Sequence, residues 1–230
     1  MKNIALITAG GSGQRMGRPK PRHLRRRGKQ FLKLNGRPML AWTLAACQKC
    51  PDIDGIILVV SPDQIKLAKR LDQKKVIAIV AGGRERPDSV RHGLDWLPDS
   101  AEIVAIHDGA RPAITPALLT ASIKGARKHG AVVVGVPVKD TIKRVTRYEL
   151  RVTKTVDRSD LWQAQTPQAF QVKIIKKAYA KPAGRATDDA MLVEKSGIKV
   201  KMVMGSYENL KVTTPEDLKI MSAILAGRSK

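Results

Sequence analysis

The sequence predicts an α/β fold, a Rossmann-like and mainly parallel sheet with helices on both faces and a β-arm projecting from it. Three observations carry this. Apolar runs of strand length recur at 55–60, 76–80, 102–106 and 131–137, and continuous rather than alternating runs mark strands buried on both faces. Helical spacing, not a tight turn, separates each run from the next, as a parallel crossover requires. Aromatic residues are only 3% of the chain against 43% hydrophobic residues, so the core must be built from Ile, Val, Leu and Ala. A chain of 230 residues can bury one substantial core, and a single domain over 1–230 is expected.

The first strand is expected over Asn3 to Thr8, running into A-G-G-S-G-Q-R-M-G at 9–17, a stretch too glycine-rich for a regular element. Pro38 suits the first turn of a helix through Lys49, with Leu40, Leu44 and Cys47 at helical spacing. G-I-I-L-V-V at 55–60 is a buried strand bounded by Pro62. A helix from Asp63 to Leu71 leads to the strand V-I-A-I-V at 76–80, and Gly82-Gly83 precede a helix from Asp88 to Leu97. The strand E-I-V-A-I at 102–106 runs into H-D-G-A-R-P, followed by a helix over 116–129 and the strand A-V-V-V-G-V-P at 131–137.

Residues 138–160 break this rhythm. V-K-D-T-I-K-R-V and L-R-V-T-K-T-V-D-R are polar, β-rich segments around a turn, the pattern of an antiparallel arm with little core of its own. Helices near 171–181 and 188–196 and a strand near 199–203 restore the alternation. A closing helix begins after Thr214, a good cap, where Pro215 suits the first turn and Glu216 and Asp217 suit the positive helix end.

Composition narrows the function classes. No run approaches the roughly 20 apolar residues of a membrane span, and the amino terminus lacks a secretory pattern, so a cytoplasmic protein without a membrane partner is expected. Cys47 and Cys50 have CxxC spacing, but no second pair accompanies them, and two inert thiols are expected rather than a metal or redox site. The net charge of +23 is the unusual feature, and no Asp or Glu precedes Asp52. Such charge suits nucleic acid or anionic small substrates alike. Without a helix-turn-helix, zinc-finger spacing or aromatic-studded basic groove, a stable nucleic-acid partner is not expected, and a basic nucleic-acid-binding module is the remote alternative.

The glycine-rich loop at 9–17 is the first candidate site. Glycines let successive backbone N–H groups face an anion, and Arg15 adds charge-assisted donors; a tight turn before a helix would also explain the glycines. Lys29, in R-G-K-Q-F-L, can reach an anion held there. H-D-G-A-R-P at 107–112 follows a central strand, where open parallel sheets place their ligand crevice. There Asp108 can hold a sugar hydroxyl or help locate a metal-bound phosphate, Arg111 can meet an anion, and His107 reads as structural. Thr187, in T-D-D-A, and Lys211, in N-L-K-V-T-T-P-E-D-L, complete the set. Positive groups outnumber plausible acids and bases, which points to positioning and charge stabilisation rather than proton abstraction.

Together these motifs resemble the 2-C-methyl-D-erythritol 4-phosphate cytidylyltransferases. The resemblance spans nearly the whole chain and includes R-M at 15–16, K-Q-F-L at 29–32, G-G-R-E-R-P-D-S-V at 82–90, H-D-G-A-R-P, P-V-K-D-T at 137–141, T-V-D-R at 155–158, T-P-Q-A-F at 166–170, T-D-D-A and N-L-K-V-T-T-P-E-D-L. It implies a single nucleotidyltransferase domain that transfers cytidylyl from CTP to methylerythritol phosphate and releases pyrophosphate, with Mg²⁺ held mainly through the CTP phosphates. It also implies the roles. Arg15 and Lys29 would stabilise the triphosphate, and Lys211 would contact the α-phosphate. Ala9, Gly10, Gly11, Gly83 and Ser89 would read cytosine. Asp108, Arg111 and Thr187 would position the sugar and acceptor phosphate. The 138–160 arm would make a homodimer in which Thr141 and Arg158 complete the neighbour's acceptor pocket.

Two departures from the family pattern bear on the site. The link between Arg15 and K-Q-F-L is the longer G-R-P-K-P-R-H-L-R-R-R-G, in which Lys20 rivals Lys29; Lys29 keeps the Q-F-L that follows and is preferred. Arg84 stands where an acidic residue is common. The chain is expected to lack the fused cyclodiphosphate synthase of some relatives, and ribitol-5-phosphate cytidylyltransferase is the nearest alternative activity.

Overall fold

The computed structural model describes residues 1–10, 28–71, 74–180 and 186–228. A seven-stranded sheet organises them. In chain order its strands are β1 (Asn3–Ala9), β4 (Gly55–Val60), β5 (Val76–Ala81), β6 (Ile103–Asp108), β7 (Ala131–Pro137), β10 (Trp162–Gln171) and β11 (Lys201–Met204). Two short strands, β2 (Lys33–Leu34) and β3 (Arg37–Pro38), form a small hairpin, and β8 (Ile142–Val145) pairs with β9 (Val152–Val156) outside the main sheet.

The strand order is β11-β7-β10-β6-β1-β4-β5. β1 pairs in parallel with both β4 and β6, β4 with β5, and β7 with β11. β1 is therefore central, and the chain builds outward first through β4 and β5, then on the other side through β6. The reversal lies between β1 and β6, and in open α/β sheets the carboxyl ends at such a point form the ligand crevice. Thr8 is in register with Asp108 across this junction.

Helices cover both faces. The described α-helices are α1 (Met39–Lys49), α2 (Ile65–Ala68), α3 (Arg86–Leu94), α4 (Pro116–His129), α5 (Val172–Tyr179), α6 (Asp189–Lys195) and α7 (Pro215–Gly227). Successive β1 side chains enter opposite cores: Ala5 and Ile7 pack with Leu40, Leu44, Leu119 and Ile123, whereas Ile4 and Leu6 pack with Val90, Leu94, Ile175 and Val193. Burial on both sides is why these strands read as unbroken apolar runs. Among the described residues, no helix is long and apolar enough to cross a membrane.

The cap expected at Thr214 is present, and Thr115 provides a second that the sequence reading did not name. Thr115 accepts from the Leu118 N–H at the start of α4, and Thr214 with Asp217 forms a reciprocal capping box on α7. The arm reading of 138–160 is also matched by the β8–β9 hairpin, whose Tyr148 and Leu150 are 91% and 70% exposed.

Several expectations change. β10 was not anticipated; it is inserted antiparallel between β6 and β7. β6 extends to Asp108, so His107 and Asp108 belong to the strand rather than the turn after it. Pro38 is the residue before α1 rather than inside its first turn, and the 63–71 helix shrinks to a 3₁₀ turn at Pro62–Gln64 followed by α2. α3 starts two residues earlier than expected, because Glu85 and Asp88 close a capping box around Arg86 and Pro87.

Candidate active site

The loops after β1, β4 and β5 meet at the carboxyl edge of the sheet. The Ser61 hydroxyl donates to the Gly10 carbonyl at 2.9 Å, and the Gly82 N–H donates to the Val60 carbonyl at 2.7 Å. Ala9 and Gly10 are thereby joined through Val60 and Ser61 to the Gly82–Gly83 turn. Ser89, near the start of α3, holds that turn: its hydroxyl accepts from the Gly83 N–H at 3.1 Å and donates to the Glu85 carbonyl at 3.1 Å. A Cβ on Gly83 would lie 2.3 Å from that of Asp88, so only glycine permits this close approach. The expected positions Gly11, Arg15 and Lys20 lie outside the described residues.

Asp108 is the electrostatic centre. Its carboxylate lies 2.8 Å from Lys211 Nζ, 3.5 Å from Arg86 Nε and 3.8 Å from Arg111 Nε. Burial by itself would raise this carboxyl's pKa, but Lys211, Arg86 and Arg111 overcome that and hold it well below the usual carboxylate range. Asp108 is therefore ionised; because Arg86 also pairs with the buried Asp189, three cations face two carboxylates and one positive charge is left over. The excess positive charge suits an incoming phosphate.

Backbone contacts place the two lysines beside it. Val212 donates its N–H to the Ala110 carbonyl at 2.8 Å, docking the 209–212 segment against the turn after β6. Lys29, in a 3₁₀ turn at Lys29–Phe31, donates from Nζ to the Val212 carbonyl at 2.8 Å. Lys29 and Lys211 thus converge on one segment although 183 residues separate Lys29 from Val212. Arg111 is only 11% exposed and gives Nη1 to the Asn209 carbonyl at 2.7 Å. Its position is set by the protein more than the sequence implied.

His107 is fully buried and structural. Its Nε2 faces the Arg111 carbonyl at 3.3 Å, an acceptor only, so Nε2 carries the proton. Nδ1 then accepts from the Thr166 hydroxyl at 2.9 Å, whose oxygen accepts the Asp108 N–H at 3.1 Å. Burial pushes the imidazole pKa down to about 4, against the opposing pull of Asp108. A neutral histidine with both nitrogens engaged anchors the strand end. Burial likewise pushes the Cys47 thiol up to about 12, with Cys50 adding to the shift, and both cysteines are free and buried, as inert thiols should be.

Thr187 is exposed just before α6, its hydroxyl 3.7 Å from Met191 Sδ. The capping residue Asp188 accepts from the Met191 N–H at 2.9 Å. Thr141 and Arg158 are not brought to this cluster within the chain: both are exposed on the arm, and Arg158 Nη1 donates to the Lys139 carbonyl.

A family model described as IspD, 2-C-methyl-D-erythritol 4-phosphate cytidylyltransferase, matches residues 3–227. The chain belongs to this family. Among curated cytidylyltransferases of that name, it is 47% identical to the one from Alkaliphilus metalliredigens, covering 99% of this chain and 94% of the relative. It is also 47% identical to that from Desulforamulus reducens, covering 98% and 97%. The crystal structure of 4-diphosphocytidyl-2C-methyl-D-erythritol synthase from Anaerococcus prevotii matches with a TM-score of 0.83 and 34% identity over 98% of each chain. The Thermus thermophilus cytidylyltransferase matches with a TM-score of 0.77 and 27% identity, covering 96% of this chain and 98% of that one.

Around this cluster, the sequence reading gives no role to Arg86, Thr166, Gln168, Tyr179, Asp189 and Asn209. Thr166 holds His107 and Asp108, while Asn209 Nδ2 donates to the Thr166 carbonyl at 2.8 Å. Gln168 Oε1 accepts from the N–H groups of Asp189 and Ala190, and its Nε2 donates to Asp188. β10 therefore fixes both the Asp108 strand end and the start of α6. Buried glutamines and a threonine beside Pro167 were the available signal, because such polar groups must find partners inside.

Proposed function

We propose that the protein transfers a cytidylyl group from CTP to 2-C-methyl-D-erythritol 4-phosphate and releases pyrophosphate, a step of non-mevalonate isoprenoid precursor biosynthesis. The observation that carries this is Asp108 ringed by Lys211, Arg86 and Arg111 at the sheet's reversal point, in a chain that matches the cytidylyltransferase family over residues 3–227.

In this reading Ala9, Gly10, Gly11, Gly83 and Ser89 receive the cytosine, and the Ser89 hydroxyl holds the Gly83 turn in place for it. Arg15 and Lys29 face the triphosphate. Asp108 binds ribose and orients Lys211: an ammonium has three donors, so Lys211 can keep its contact with Asp108 while donating to the α-phosphate. Arg111 and Thr187 position the acceptor phosphate. That monoester, with a second pKa of about 6, is already largely dianionic near neutral pH and attacks without a base. One acceptor-phosphate oxygen forms a bond to the α-phosphorus as the bond to the bridging oxygen of pyrophosphate breaks. The cations offset charge on the transferring oxygens and the leaving group.

Among the described residues, no cluster of three or more His, Cys, Asp or Glu side chains is placed to hold a metal, and Asp108 is already engaged by cations. This donor set is compatible with Mg²⁺ carried mainly by CTP phosphate oxygens, where the ion would supply further charge neutralisation. The protein is proposed to act in the cytoplasm as a homodimer. The exposed Tyr148, Leu150 and Val152 of the arm support a covering partner, and Thr141 and Arg158 of each subunit would then face the other's acceptor pocket.

The test is pyrophosphate release from CTP and Mg²⁺ with methylerythritol phosphate or ribitol 5-phosphate as acceptor. Turnover of the first is expected. Efficient turnover of ribitol phosphate alone would reject the acceptor, and tight, salt-sensitive nucleic-acid binding without pyrophosphate release would reject the enzyme reading.

A further inference from the structure

Arg86 connects two parts of the site that are remote in sequence. Its backbone begins α3 directly after the glycine turn at 82–83, and the Glu85–Asp88 capping box fixes it there, with the Glu85 N–H 3.0 Å from Asp88 Oδ2. Its side chain reaches the start of α6 and the end of β6. Nη1 and Nη2 grip the two Asp189 oxygens at 2.9 and 2.7 Å, and Nε lies 3.5 Å from Asp108 Oδ1.

Asp189 is fully buried at the start of α6, two residues after Thr187. It also accepts from the Tyr179 hydroxyl at 2.5 Å, and its N–H is held by Gln168. Burial works against the Arg86 charge, yet Asp189 and Asp108 together raise its pKa above the ordinary value. The fork geometry is what a lysine lacks: one planar group addresses two carboxylates along different edges. A buried ion pair is by itself weak evidence for stability, and a positional role accounts for this geometry better.

We propose that Arg86 is the positioning residue that joins the nucleotide half of the site to its acceptor half. The inference rests on the cytidylyl-transfer reading for the identity of the two halves. A shift of the α3 start when nucleotide binds is passed by the guanidinium to Asp108 and to the α6 start that carries Thr187. CTP occupancy thereby favours the acceptor-binding arrangement.

Arg86→Lys keeps the charge and loses the fork. The paired change Arg86→Gln with Asp189→Asn removes the link without leaving a buried carboxylate unpaired. Calorimetric titration of methylerythritol phosphate, with and without α,β-methylene-CTP, reads acceptor affinity apart from turnover. In the unsubstituted protein the CTP analogue should tighten acceptor binding. In both variants that enhancement should fall towards one, with acceptor KM raised about 10-fold or more, kcat lowered, and CTP affinity changed by less than about threefold. The proposal is overturned if the enhancement survives, if the unsubstituted protein has none, if CTP and acceptor affinities weaken equally, or if neither variant folds. Turnover by the unsubstituted enzyme tests the cytidylyl-transfer reading separately.

Discussion

The Lys211 ammonium lies 2.8 Å from the Asp108 carboxylate, in the crevice where β1 and β6 diverge. This contact gives Lys211 a fixed direction, while Asp108 is balanced by two arginines as well. Asp108→Asn keeps the shape and removes the charge that organises Lys211, Arg86 and Arg111. It is expected to lower kcat/KM roughly 100-fold or more and to destabilise the fold by about 3 kcal/mol, the scale for breaking a buried ion pair. Steady-state kinetics and urea unfolding check the two effects.

The Lys29 contact with the Val212 carbonyl places it beside Lys211. Lys29→Met is therefore expected to reduce kcat by about 100-fold, equivalent to roughly 3 kcal/mol of lost charge stabilisation, whereas Lys20→Met leaves it nearly unchanged. Parallel kinetics of the two variants decide the matter, and the reverse ranking would move the catalytic role to Lys20.

Buried His107 gives the fold an acid sensitivity. Its folded pKa of about 4 lies below the ordinary 6.5, so the unfolded chain binds more protons between those values. Stability is consequently retained above about pH 6.5 and lost as pH falls towards 4. This group should cost about 2 kcal/mol between pH 7 and pH 5. Asp108, with a lowered pKa, contributes stability above its unfolded value of about 3.8 that is lost at still lower pH. Urea unfolding over this range should show the His107 component in the unsubstituted chain and lack it in His107→Gln, whatever that variant's absolute stability.

The homodimer reading predicts complementation. An Arg158→Ala protein mixed with an Arg15→Ala protein should regain activity through hybrid sites in which one carries neither substitution. Restored turnover after confirmed subunit exchange is the expected result; exchange without recovery counts against a cross-subunit pocket.

Much of this architecture was legible because β1, β4, β6 and β7 are buried on both faces, which writes them as unbroken apolar runs. β10 was not, since W-Q-A-Q-T-P-Q-A-F-Q mixes apolar residues with buried Gln165, Thr166 and Gln168. Their polarity serves a hydrogen-bond network that only the folded chain assembles. Asp108, Arg111, Lys29 and Lys211 could be selected from glycine-loop and strand-end chemistry together with the family motifs. Arg86 could not be given a role, because its partner Asp189 lies 103 residues away and only the folded chain brings the two together.

Cytidylyl transfer is tested most directly by the phosphorus-31 NMR spectrum of a reaction containing the purified protein, CTP, Mg²⁺ and methylerythritol phosphate. The predicted result is pyrophosphate together with the coupled signals of a new diphosphate diester, formed as the acceptor monoester disappears. Pyrophosphate with CMP and unchanged acceptor, or no loss of CTP at all, would contradict it.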